Sequence, residues 1–182
     1  MKAHWKYFKY VVRHKWFVYL AGRELGVSFW RLLKHDWHKF LPSEWGPYVA
    51  YFYGPTVEMK DSEPDDYRYW CARGPVMSDF DHAWNLHQKR ADHHWQFWVL
   101  TEDSGKVKPL QMSLAAVLEM VADWYGAGRA ITGKWEADVW YEKNKEKMNF
   151  FPKTREMVEA IFQERKEIRP RVQMLGISYP PF

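Results

Sequence analysis

The chain has 182 residues, 47% of them apolar, which suits one domain with its own core and excludes a compositionally disordered polymer. Its formal charge of +4 is too small to mark a nucleic-acid binder by itself. A single cysteine, Cys71, excludes an internal disulfide, and neither a secretory leader nor an apolar run long enough to span a membrane is present, so a cytoplasmic setting is expected.

Helical periodicity runs through the whole chain. Tyr7, Val11, His14 and Val18 recur at helical spacing and place His14 on an inward face. Nine Lys and Arg fall within residues 1–40 against Glu24 and Asp36, which reads as a solvated basic face or as a basic rim for a phosphorylated substrate. Gly22 and Gly26 loosen the chain, and Ser28 caps a short helix leading to His35. Pro42-Ser43 precedes a helix from Glu44 to about Phe52, stopped by Gly54-Pro55. Residues 54–77, with Pro55, Pro64, Gly74 and Pro75, read as a long ordered loop. Ser78 opens a helix reaching about Leu100, and Thr101–Pro109 is turn-like, without a hairpin signal. Ser113 caps a helix to Gly126, and two more follow over Trp135–Met148 and Thr154–Ile168. The expectation is an all-α, single-domain bundle of about seven helices over 1–182, with a core at about 4–169 and an irregular, proline-containing tail from Pro170 to Phe182.

The chemistry concentrates at His35-Asp36. An adjacent imidazole and carboxylate at a helix end can both reach one cation, and together they suit Zn, Mn, Fe or Co. His14 lies 21 residues upstream on its inward face, and Asp123 follows on a later helix, with Glu119 one turn before it. Between them stand His82, His87, His93 and His94. On a continuous helix, residues seven apart differ by roughly 20° in direction, so His87 and His94 share a face, and His93 is kept as a possible outer donor beside Glu119. If the helix breaks near Asp92, His93 and His94 can both turn inward. Lys39, three residues after Asp36, is either a phosphate-binding ammonium or a surface lysine. Glu44 is either a general base or a favourable acid in the first turn of its helix.

These residues resemble the HD-domain superfamily of metal-dependent phosphohydrolases, whose members share an all-α fold and an H…HD…D ligand order. His14, His35-Asp36 and Asp123 follow that order. The branch with two or more metals adds histidines in the interval where His87, His93 and His94 lie, and HD-x-x-K occurs in it. Here the histidines are crowded into one segment. The chain also resembles an uncharacterised family of phages and bacteria from about residue 4 to 160, through RHKWFV (13–18), HDWHKF (35–40), HHWQFW (93–98), EMVADW (119–124) and YEKNKEKM (141–148). The usual form of the second segment has Ser where His38 stands.

The resemblance implies an HD-like enzyme with one or two divalent ions. The leading expectation is hydrolysis of a nucleotide or related phosphoester by metal-activated water. His14, His35, Asp36 and Asp123 would hold one ion, and His87 with His94 would add a second. Asp36, Lys39 and Glu44 would serve the reaction, Arg13 or Lys145 would help neutralise the phosphate, and Trp37 or Trp95 would stack a base. Two alternatives stay open: an HD-fold di-iron oxygenase for a small polar or phosphonate-like substrate, and a non-catalytic accessory protein that binds a host partner or nucleic acid.

Overall fold

The first helix, α1 (Lys2–Glu24), buries Tyr7, Val11, His14 and Val18, the row that its periodicity predicts. Lys2, Lys6, Lys9 and Arg13 of the same helix are exposed. A computed structural model describes residues 1–54 and 67–174, and the side chains of 67–74 and 167–174 lie outside that description. Among the described residues there are seven α-helices and one two-stranded sheet, a mostly-α chain as expected. No described helix is long and apolar enough to cross a membrane.

Gly26, at φ +78°, turns the chain into α2 (Phe29–Lys34), whose N-terminus is capped by Ser28 Oγ accepting from the Arg31 N–H. The helix stops at His35. Asp36 then takes φ +53° and ψ +24°, the one non-glycine residue with positive φ among those described. That left-handed conformation is unfavourable for most L-residues and better tolerated by Asp. It redirects the chain through a 3-10 turn, Trp37–Phe40, into α3 (Pro42–Tyr53), which Pro42 opens and Gly54 closes.

Several boundaries differ from expectation. First, α4 runs over Tyr67–Arg90, so residues 67–77 are helical and Pro75 lies inside the helix, which corrects that part of the expected loop; 55–66 lie outside the described residues. One proline removes one helical hydrogen bond, and here it does not end the helix. Second, that helix ends at Arg90 and not near Leu100. A 3-10 turn, Trp95–Trp98, leads into a hairpin of β1 (Val99–Thr101) and β2 (Val107–Pro109), with Val99 opposite Pro109 and Thr101 opposite Val107. Gly105 at φ +80° supplies its turn. Third, α5 (Leu114–Thr132), capped by Ser113, continues through Gly126 to Gly133. Gly126 serves a close helix approach: a Cβ there would lie 2.6 Å from Val18 N and 2.9 Å from Val18 Cα.

The chain continues through α6 (Ala137–Asn144), a 3-10 turn at Lys145–Lys147, and α7 (Pro152–Met174). Pro152 opens α7, and its Thr154 Oγ1 accepts from the Met112 N–H at 3.0 Å. The helix runs past Pro170 to Met174, which corrects the expected start of an irregular tail; 175–182 are outside the described residues.

The chain forms two compact units interleaved in sequence. The first comprises residues 1–12 and 36–90, with a core of Tyr7, Val11, Tyr48, Val49 and Ala83 flanked by Trp45, Phe80 and Trp84. The second comprises residues 13–35 and 91–182, with Val18, Met120, Val121, Tyr125, Tyr141, Val158 and Phe162 among its buried residues.

Candidate metal centre

In the second unit, the buried face of α1 presents His14, the end of α2 presents His35, and α5 presents Glu119 and Asp123 one turn apart. His14 Nε2 lies 3.1 Å and His35 Nε2 3.3 Å from the same oxygen, Asp123 Oδ1. At these distances Oδ1 still has no hydrogen-bond partner among the described residues. Donor atoms that share one cation at about 2.0–2.2 Å are held roughly 3–3.5 Å apart while pointing at a common centre and not at each other. The two separations from Asp123 Oδ1 fall in that range.

The other edge of His35 is fixed. Its Nδ1 lies 2.9 Å from Glu119 Oε1, which also lies 3.3 Å from His93 Nδ1. Donation from Nδ1–H to Glu119 turns a lone pair on Nε2 towards Asp123 whenever the ring is neutral. An imidazole lone pair and a carboxylate oxygen at 3.3 Å repel unless a proton or a cation lies between them. Arg31 in turn holds Glu119, through Nε to Oε2 at 2.6 Å, and forks onto Asp92 with bonds of 3.2 and 2.6 Å.

The first unit repeats the design. His87, fully buried on α4, has Nδ1 2.8 Å from Glu44 Oε2 and Nε2 3.2 Å from Asp36 Oδ1. The ring stacks on Trp84 at 5.7 Å. Lys39 Nζ lies 2.5 Å from the other Asp36 oxygen, and Arg90 lies 3.5 Å from the other Glu44 oxygen. Each unit therefore carries a buried carboxylate–imidazole–carboxylate chain, Glu119–His35–Asp123 in one and Glu44–His87–Asp36 in the other. Such buried His, Asp and Glu sets could hold a metal ion: His35, His93 and Glu119 in the second unit, and His38, Glu44 and His87 in the first, have potential ligand atoms within 4.8 Å of one another.

The expected residues thus divide between the units. His14, His35 and Asp123 come together, and Glu119 stands behind His35 as an orienting acceptor. Asp36 and His87 come together, with Lys39 on Asp36; its side chain is only 12% exposed, which rules out a surface lysine. Glu44 is fully buried, with one oxygen on His87 and the other facing Arg90, the posture of a group that orients an imidazole. His94 precedes the 3-10 turn after α4, and its ring lies 4.4 Å from that of buried His93. The shared helical face of His87 and His94 is corrected, since α4 ends before His94. Arg13 lies over the Phe17 ring and Lys145 pairs with Glu142. Sequence reasoning missed Arg31 and Asp92. Arg31 stands four residues before His35 on α2, the one local signal that could have found it.

The model of a family of unknown function, DUF5662, matches residues 3–164. The chain belongs to this family. The DUF5662 match spans every residue of both sets. No curated protein and no solved structure matches the chain.

Charge in these sets fixes a pH window for the chain stripped of divalent metal. Burial pushes the Asp123 and Glu119 carboxyls up, but His14 and His35 beside the first, and His35 and His93 beside the second, outweigh it and hold both below their ordinary values. His87 shifts the other way. Burial lowers it, and Asp36 with Glu44 more than restores the proton, so it lies above its ordinary 6.5. Depressed carboxyls contribute stability that is complete above about pH 4.5 and lost as pH falls through their folded values. The raised histidine contributes stability that is complete below 6.5 and lost as pH rises through its folded value. The chelated chain is expected to have its highest thermal midpoint between about pH 4.5 and 6.5. A midpoint still climbing from pH 6.5 to 8 would contradict this charge assignment.

Proposed function

We propose that the chain is a metal-dependent phosphohydrolase acting on a nucleotide or a related small phosphoester. The observation that carries this reading is Asp123 Oδ1 facing two imidazole Nε2 atoms at 3.1 and 3.3 Å while accepting no hydrogen bond among the described residues. His14, His35 and Asp123 would hold one divalent cation, and Asp36 with His87 would serve a second. The neutral imidazole and carboxylate donors suit Mn, Fe, Zn or Co. When bound, such a cation acidifies water and polarises a phosphoryl oxygen.

The chain's own residues do the rest. Glu119 and Glu44 fix the histidine rings through Nδ1 and leave each Nε2 for the cation, an arrangement common behind metal-binding histidines. Lys39 offsets the charge of Asp36 and offers an ammonium to a phosphate oxygen. The ligand order and the mostly-α make-up support kinship with the HD superfamily. The proposed setting is the cytoplasm, which the single cysteine, Cys71, suits.

The test is phosphate release from nucleotides and p-nitrophenyl phosphate, screened anaerobically with Mn, Co and Zn. Metal-dependent release that Asp36→Ala abolishes is expected. A chain that binds metal and releases no phosphate from any of these would overturn the hydrolase, and two irons with an O₂-dependent spectrum would replace it with an oxygenase.

A further inference from the structure

Two side chains beside the Glu44–His87–Asp36 set have no part in the reading above. Tyr7 on α1 and Tyr48 on α3 are 1% and 5% exposed, and their rings lie 6.0 Å apart. Tyr48 sits one turn after Glu44, with its ring 6.4 Å from that of His87. Both phenolic oxygens are buried, and neither has a hydrogen-bond partner among the described residues. Lys39, Asp36 and Glu44 act electrostatically on both hydroxyls.

A buried hydroxyl forfeits the hydrogen bonds it makes in water, so native proteins nearly always supply a partner. The nearby carboxylates are already engaged: Asp36 Oδ2 faces Lys39, and the Glu44 oxygens face His87 and Arg90. Burial pushes both phenols above their ordinary range, so each keeps its proton and can donate at neutral pH. Two buried O–H donors can take the oxygens of an anion that Lys39 attracts and Asp36 and Glu44 oppose, so the ligand's charge faces Lys39 and its remaining oxygens take the two protons.

We propose that the Tyr7 and Tyr48 hydroxyls, with Lys39, form a subsite that binds the phosphate group of the substrate. This deepens the hydrolase reading and rests on it for the identity of the oxyanion. Tyrosine-to-phenylalanine replacement tests it cleanly, because it removes only the oxygen. A hydroxyl waiting for a ligand is dispensable to the empty fold, whereas one bonded to a structural water is not.

The probe is inorganic phosphate, titrated calorimetrically into the full chain as purified, beside Tyr7→Phe, Tyr48→Phe and the double variant. Each single replacement is expected to weaken phosphate binding about tenfold and the double about a hundredfold, with thermal midpoints unchanged or raised. Phosphate binding that is absent from the parent chain, or equal in the double variant, would overturn the subsite. So would a midpoint that falls on loss of the hydroxyls, since structural water would then be their partner. Metal analysis of the same samples separates the two readings. Hydroxyl-dependent phosphate binding in a chain that takes up no metal would sink the hydrolase and leave the subsite standing. Metal-loaded chain indifferent to both replacements would do the reverse.

Discussion

Replacing Asp123 with asparagine is expected to weaken divalent-metal binding by more than about a hundredfold, because partners one layer behind a ligand already contribute about 10- to 100-fold and Asp123 is proposed as a ligand itself. Its Oδ1 stands 3.1 Å from His14 Nε2 and 3.3 Å from His35 Nε2, so one atom serves two imidazoles. Asparagine keeps the shape and removes the charge. If its oxygen takes the place of Oδ1, a neutral carbonyl is left between the imidazoles; if its nitrogen does, an N–H donor points where the proposed cation would lie. The metal-free chain should lose stability as well, since the depressed carboxyl of Asp123 signals a favourable interaction with both histidines. Competition against a chromogenic chelator measures the affinity. An affinity within threefold of the parent chain would remove Asp123 from the ligand set.

Glu119→Ala is expected to be the most damaging replacement for the fold. Glu119 is 4% exposed and meets three partners: His35 Nδ1 at 2.9 Å, His93 Nδ1 at 3.3 Å and Arg31 Nε at 2.6 Å. Alanine leaves two buried imidazoles without this acceptor and Arg31 with Asp92 alone. Breaking a buried ionic network from one side costs about 3–5 kcal/mol. For a chain of this size that lowers the thermal midpoint by roughly 10 °C. Metal affinity should fall about 10- to 100-fold as well, since His35 loses the partner that fixes its ring. Glu119→Gln should recover part of the stability, because one amide oxygen can still accept. A midpoint within 2 °C of the parent in the alanine variant, as measured by scanning calorimetry, would show that the network contributes little (about 1 kcal/mol or less).

What could be read in advance was local. The buried row Tyr7–Val11–His14–Val18, the Ser28 and Ser113 caps and the opening of α3 at Pro42 each depend on residues within one or two turns. The limits of α4 were not legible, because Pro75 is tolerated inside it and no glycine marks its end at Arg90. Strands of three residues are too short to show alternation, which hid the hairpin. Gly126 reads as a stop in sequence, and only the approach of Val18 explains it as a contact. Within the sets, His14, His35, Asp36 and Asp123 announced themselves by residue type and order. The carboxylates behind the histidines did so less clearly: Glu44 read equally well as a base or a helix-start acid, and Arg31 and Asp92 are 61 residues apart, which no periodicity connects. The left-handed backbone at Asp36 likewise has no sequence signal beyond the tolerance of aspartate for it.

On the proposed function, these buried imidazole and carboxylate sets hold metal. Elemental mass spectrometry, on chain purified without added metal beside a His35→Ala/Asp36→Ala variant, tests it most directly. One or two equivalents of a transition metal in the parent chain, lost from a variant that still folds, is the expected result. A parent chain that remains free of metal even after soaking in Mn, Fe, Co and Zn would contradict the account and leave both chains of buried charge as structural ion pairs.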